Sequence, residues 1–251
     1  MKKGWYYACL VFGLAAAWLV VDHIAGFLPH EYFFRANPGI EKYSGVNVVS
    51  RWADLSFFTY HTVILFSLWT VGLFLSFAIR IPRLRSICTH EATVTLVLTN
   101  YILTAVLATA FELAGGNPTF GLYANHNAAW HNFGTNILAH YVFPVFALTV
   151  ASRIRTVGRL TKTHVHYFLA YLLLYFVAVR LTGMLCYRIE WYPYPIFDPE
   201  LLWQMLGLPA YTPALGWILL VCVNALLAFA YVGLLYAVRA YSRALARRAE
   251  T

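Results

Sequence analysis

The chain has 251 residues, 61% of them hydrophobic and only 11% charged, with a net charge of +8. That is far more apolar than a soluble domain and leaves no room for a separate soluble unit, so residues 1–251 read as one domain. The basic residues fall mainly between apolar stretches, which marks membrane topology and argues against a nucleic-acid partner.

Crossing a bilayer takes about 20 mostly apolar residues. Six such stretches follow one another: Trp5–Leu28, Ala53–Ile79, Glu91–Ala114, Gly134–Ala151, His164–Cys186 and Pro213–Val238. The expected fold is therefore all-α, a polytopic six-transmembrane-helix bundle. The first stretch follows Lys2 and Lys3 as a signal peptide would. Its apolar run exceeds about 15 residues, however, and has no clean small-residue cleavage site, so it reads as a retained span.

Lys and Arg set the orientation. Lys2 and Lys3; Arg80, Arg83 and Arg85; Arg153, Arg155, Arg159 and Lys162; and Arg239, Arg243, Arg247 and Arg248 occupy the N-terminus, the second and fourth loops and the tail. The other three loops hold only Arg35, Lys42, Arg51 and Arg188. Both termini are expected in the cytoplasm. The opposite loops, including Pro29–Trp52, Gly115–His131 and the aromatic, proline-rich run from Trp191 to Pro199, are longer. Long loops are often functional, so the site is expected to open toward the outer face. Cys9, Cys88, Cys186 and Cys222 form no Cys-x-x-Cys pair and read as packing residues.

Polar groups inside the spans are the main functional signal. With a rise of 1.5 Å per residue, Thr62 lies roughly 13 Å below the outer boundary, and His140 and Arg180 roughly 9 Å. Asn136 precedes His140 by four residues and shares its helix face. Thr62, Asn136, His140 and Arg180 are expected to line one cavity walled by aromatics such as Phe58, Phe143 and Tyr194. A hydroxyl beside an imidazole is the minimal nucleophile-and-base pair, and Arg180 could stabilise an oxyanion or hold an acid headgroup. The plainer alternatives are as specific. A threonine in a membrane helix bonds the carbonyl four residues back, a buried histidine packs, and an intramembrane arginine pairs with Glu112, Glu190 or Asp198. His61 points to a different face from Thr62. His126 with His131 and His164 with His166 lack the spacing that puts two imidazoles on one helix face for zinc. No metal or cofactor is expected, and a haem held by His61 and His140 is a distant third reading.

Three segments carry a family resemblance: Arg51-Trp52 followed by Phe58-Thr59-Tyr60-His61-Thr62; Asn136-Ile137-Leu138-Ala139-His140-Tyr141-Val142-Phe143-Pro144; and Trp191-Tyr192-Pro193-Tyr194-Pro195-Ile196-Phe197-Asp198. Over roughly Arg51 to Asp198 the chain resembles the androgen-induced and androgen-dependent membrane hydrolases and their bacterial six-span relatives. The resemblance implies an integral protein of a bacterial inner membrane. It also implies threonine-dependent hydrolysis of a fatty-acyl ester drawn from the bilayer, such as a fatty acid ester of a hydroxy fatty acid. On it, Thr62 matches the nucleophile and His140 the essential histidine. Asn136, Arg180, Arg51, Trp52, Tyr194 and Asp198 are the expected supporting or substrate-binding residues. Two positions depart from the family pattern: Ile137 stands where a second histidine is expected, and Pro144 follows His140 by four residues where five are expected. A binder or carrier of a lipid or small organic acid, with Arg180 as its anion clamp, is the alternative function.

Overall fold

The computed structural model describes residues 3–25, 58–113, 134–182 and 198–248. Arg51, Trp52 and Tyr194 lie outside them, as do the side chains of Arg180 and Glu112. Among the described residues the fold is all-helical. In chain order the elements are α1 (Lys3–Ala25), α2 (Phe58–Ala78), α3 (Pro82–Cys88), α4 (Glu91–Leu113), α5 (Gly134–Ala151), α6 (Lys162–Thr182), α7 (Pro199–Met205) and α8 (Pro213–Arg248). Five of them, α1, α2, α4, α5 and α8, are long and apolar enough to cross a membrane. α6 matches α2 in length at 21 residues, but Lys162, His164, His166 and Arg180 make it more polar.

The expected ends need two corrections. α8 does not stop at Val238 but runs on to Arg248, 36 residues in all. The apolar stretch ends at Val238, but Ala, Leu and Arg are good helix formers, and Arg239 and Arg243 find a partner across the bundle. Two short helices also form in segments expected to be loop. Each begins with proline at its first position, where the missing N–H is no loss. In α7, Asp198 is the cap: its Oδ1 accepts the Glu200 N–H at 3.0 Å, and its carbonyl accepts the Leu202 N–H at 2.8 Å. A supporting role for Asp198 thus begins with holding a helix end.

α1 is packed into the bundle against α2. The Ser67 hydroxyl donates to the Gly13 carbonyl at 2.8 Å. A side chain on Gly13 would bring its Cβ within 2.6 Å of Thr70 Oγ1, so only glycine lets the helices approach this closely. Phe12 stacks on Phe146 of α5 at 3.9 Å. The centre is aromatic: Phe66 of α2 stacks on Phe143 of α5 at 5.2 Å and meets Tyr101 of α4 edge-on at 5.2 Å.

The basic segments meet at one end of the bundle. Near the N-terminus, Tyr6 stacks on Phe77 at 5.0 Å, and the Arg153 guanidinium lies 5.6 Å from the Trp5 ring. A short parallel bridge joins the second loop to the fourth: the Glu91 N–H donates to the Val157 carbonyl and the Val157 N–H to the Thr89 carbonyl, both at 2.9 Å. Glu91 gathers the rest. It accepts from Arg243 Nε at 2.7 Å, Arg239 Nε at 3.4 Å and the Leu160 N–H. His164, weighed from sequence as half of a histidine pair, closes the start of α6. Its Nδ1 accepts the Thr161 N–H at 3.1 Å, and its own N–H donates to Thr161 Oγ1 at 3.4 Å, an arrangement in which histidine stands where a capping box usually has Glu or Gln. Cys88 is buried against Gly72, its carbonyl accepts Trp69 Nε1–H at 2.8 Å, and burial pushes its thiol above the ordinary value. The chain turns from α2 to α3 through Arg80, which holds a positive φ of 62°.

Candidate functional site

The Phe66–Phe143 stack sets the register of α2 against α5. One turn farther from the basic end are Thr62 on α2 and, on α5, Ala139 and His140. Thr62 and Ala139 are buried and His140 half-buried. α4 runs the other way and brings Thr104 to the same level: its hydroxyl lies 3.4 Å from that of Thr62. Farther out, Thr109 meets the Tyr141 hydroxyl at 3.4 Å. Thr62 and His140 therefore stand at one depth on neighbouring helices. Asn136 lies a turn farther out, half-buried, and Arg180 lies near the far end of α6.

Thr62 is 1% exposed, and its hydroxyl has two partners. It donates to the Phe58 carbonyl at 3.0 Å and faces Thr104 Oγ1. Thr104 in turn donates to the Asn100 carbonyl at 2.7 Å, and the Asn100 amide oxygen accepts from the Tyr231 hydroxyl of α8 at 2.8 Å. Thr62 and Thr104 have two hydroxyl hydrogens for three contacts, so one contact is always without a hydrogen. The Thr62 proton can move from the Phe58 carbonyl to another acceptor without leaving a charge behind. Among the described residues no hydrogen bond joins Thr62 to His140. Asn100 reads from sequence as a helix–helix hydrogen-bonding residue, and its bond to Tyr231 of α8 makes it one; Thr104 and Tyr231 escaped the sequence reading because nothing local distinguishes one intramembrane threonine or tyrosine from another.

His61 faces away, as expected. Its Nδ1 lies 3.1 Å from the Tyr171 hydroxyl of α6, and its ring meets Tyr175 edge-on at 5.1 Å. Tyr175 also packs on Phe58 at 5.4 Å, so α6 covers the outer end of α2. No group of three or more metal-ligating side chains occurs among the described residues.

His140 does not sit in an ordinary α-helix. Residues Leu138–Val142 form a π-helical turn, and the Phe143 N–H donates to the Leu138 carbonyl five residues back. The cause is Pro144. In an α-helix its nitrogen would bond the His140 carbonyl, but proline has no N–H and its ring crowds that carbonyl. The helix widens by one residue to clear it, and such π turns are frequent at functional sites. The sequence signal was the spacing from His140 to Pro144. Widening also changes the expected relation of Asn136 to His140. A π turn takes about one residue more than an α turn, so His140 falls short of a full turn from Asn136 instead of slightly overshooting it.

Comparison with family models, with curated proteins and with solved structures returned no match for this chain.

Proposed function

We propose that the protein is an intramembrane lipid-ester hydrolase with Thr62 as nucleophile and His140 as base. The observation that carries this reading is the common level of Thr62 and His140, with the histidine on a proline-induced π turn. The resemblance noted in the sequence supports it. On this reading His140 takes the Thr62 proton as the hydroxyl attacks an acyl carbonyl. The imidazolium then protonates the departing alkoxide, leaving an acyl-threonine ester. Water activated by the same imidazole hydrolyses that ester and restores the threonine. Thr62 must first rotate away from the Phe58 carbonyl, and Thr104 remains to hold the rotated hydroxyl. Arg180 and Asn136 would bind the carboxylate or the developing oxyanion.

The proposal extends to topology: six spans, both termini cytoplasmic, in a bacterial inner membrane. In its support, all the basic segments gather at one end, and α6 reaches from that end to the level of Phe58.

A second reading is favoured by one bond. The Thr62 hydroxyl donates to the Phe58 carbonyl, as a purely structural threonine would, which suits a lipid or small-acid binder with no covalent step. A fluorophosphonate probe on the purified protein separates the two. Labelling at Thr62, with lipid-ester hydrolysis lost in Thr62→Ala, is the hydrolase result. A folded Thr62→Ala protein that hydrolyses as fast as wild type rules out the threonine mechanism and leaves the binder.

A further inference from the structure

Two groups of threonines in this bundle differ in how their hydroxyls are used. Thr62, Thr70, Thr89, Thr104, Thr109 and Thr149 each donate to the carbonyl four residues back. Thr95 and Thr99 do not: both are completely buried, and neither hydroxyl has a partner among the described residues. They lie one turn apart on α4, on the stripe that begins with Glu91. Beyond them is Asn100, also completely buried. Tyr231 holds its amide oxygen, which fixes the orientation of the group and leaves the Nδ2 donor without a partner.

Buried polar groups are almost always hydrogen-bonded, to protein or to ordered water. The spacing suits water. Side chains four apart on a helix are about 5–6 Å from each other, and two O–H···O bonds of about 2.8 Å in sequence cover that gap. An ion fits less well: the Asn100 amide offers donors that repel a cation, and the stripe starts at a carboxylate that repels an anion. Water gives and takes hydrogen bonds at every position. We propose that α4 carries a file of bound water running from beside Glu91, past Thr95 and Thr99, and round the helix to the amide of Asn100, one turn below Thr104. The file leads from the basic end of the bundle to within one helical turn of the level of Thr62 and Thr104. The unpartnered Tyr101 hydroxyl belongs to the opposite side of α4, against Phe66, and is not part of it.

The water file stands apart from the hydrolase reading, and its test needs no turnover. X-ray radiolytic footprinting in detergent oxidises side chains beside bound water even where bulk solvent is excluded. Tyr231 is completely buried and bonded to Asn100, so it reports on the file; Phe66, equally buried in the aromatic centre, is the dry control. The expected result is oxidation of Tyr231 at least tenfold faster than of Phe66. The double variant Thr95→Val, Thr99→Val keeps side-chain shape and removes both hydroxyls. It should lose the Tyr231 signal and melt several degrees lower, because bonded hydroxyls have been removed. Thr99→Ser keeps its hydroxyl and should keep the signal, which serves if the double variant does not fold. Tyr231 oxidised no faster than Phe66, or a double variant that melts no lower than wild type, overturns the proposal.

Discussion

Two of the polar networks that tie helices together in this bundle are built on opposite plans. At the basic end Glu91 is saturated: two arginines of α8 and a backbone N–H of the fourth loop converge on one carboxylate. At the other level Thr62 and Thr104 share two protons among three contacts, all of them neutral. A saturated charge network fixes the positions of its members, because removing any one strands the others. A neutral network with a contact to spare can exchange partners at small cost. The first is how a fold is held, and the second is what a reacting hydroxyl needs.

The contrast can be broken experimentally, most sharply where activity is concerned. On the hydrolase proposal, Thr62→Ala should abolish lipid-ester hydrolysis while lowering stability by only about 1 kcal/mol, the worth of one hydrogen bond. A large loss of stability in a detergent melt would show that this level, too, is structural. Glu91→Ala should do the reverse. It leaves two guanidinium groups and the Leu160 N–H without their acceptor, and both arginines are partly exposed, so a loss of about 2–3 kcal/mol is expected. Turnover of the folded fraction, measured below its melting range, should remain near wild type. Pro144→Ala restores an N–H for the His140 carbonyl and lets α5 close to a regular α-helix. Stability should rise by about 1 kcal/mol, and hydrolysis should fall at least tenfold, because small displacements of a catalytic group are costly; unchanged kinetics would detach the π turn from function. The smallest effect belongs to the connection at Arg80. Arg80→Gly relieves a left-handed backbone worth about 1–2 kcal/mol, partly offset by the greater freedom of glycine in the unfolded chain. A net gain below about 1 kcal/mol is expected, read as a small upward shift of the melting temperature.

The apolar runs placed the long helices, because lipid imposes their length. The Lys and Arg counts grouped the N-terminus, two loops and the tail, and all four meet at one end. His61 and Thr62 were correctly assigned to different faces, since adjacent residues on a helix cannot share one. What escaped was long-range or geometric. Glu91 looked like the first residue of a span, and Arg239 and Arg243 looked like topology charges; only packing across about 150 positions makes them one unit. Thr104 resembled every other intramembrane threonine until α4 set it 3.4 Å from Thr62. The π turn was written in the spacing of His140 and Pro144, but an α-helical template cannot express it. Arg51, Trp52 and Tyr194 lie outside the described residues.

The Glu91 junction also imposes an order on biosynthesis. Its acceptor is made first, Leu160 arrives next, and the two arginines leave the ribosome about 80 residues later still. Until they arrive the carboxylate at the start of α4 has no cationic partner, and the nascent protein holds its first five long helices without the clasp that joins them to the sixth. Chains cut short before Arg239 should therefore accumulate as assembly intermediates open to quality-control proteolysis, however well each helix forms alone.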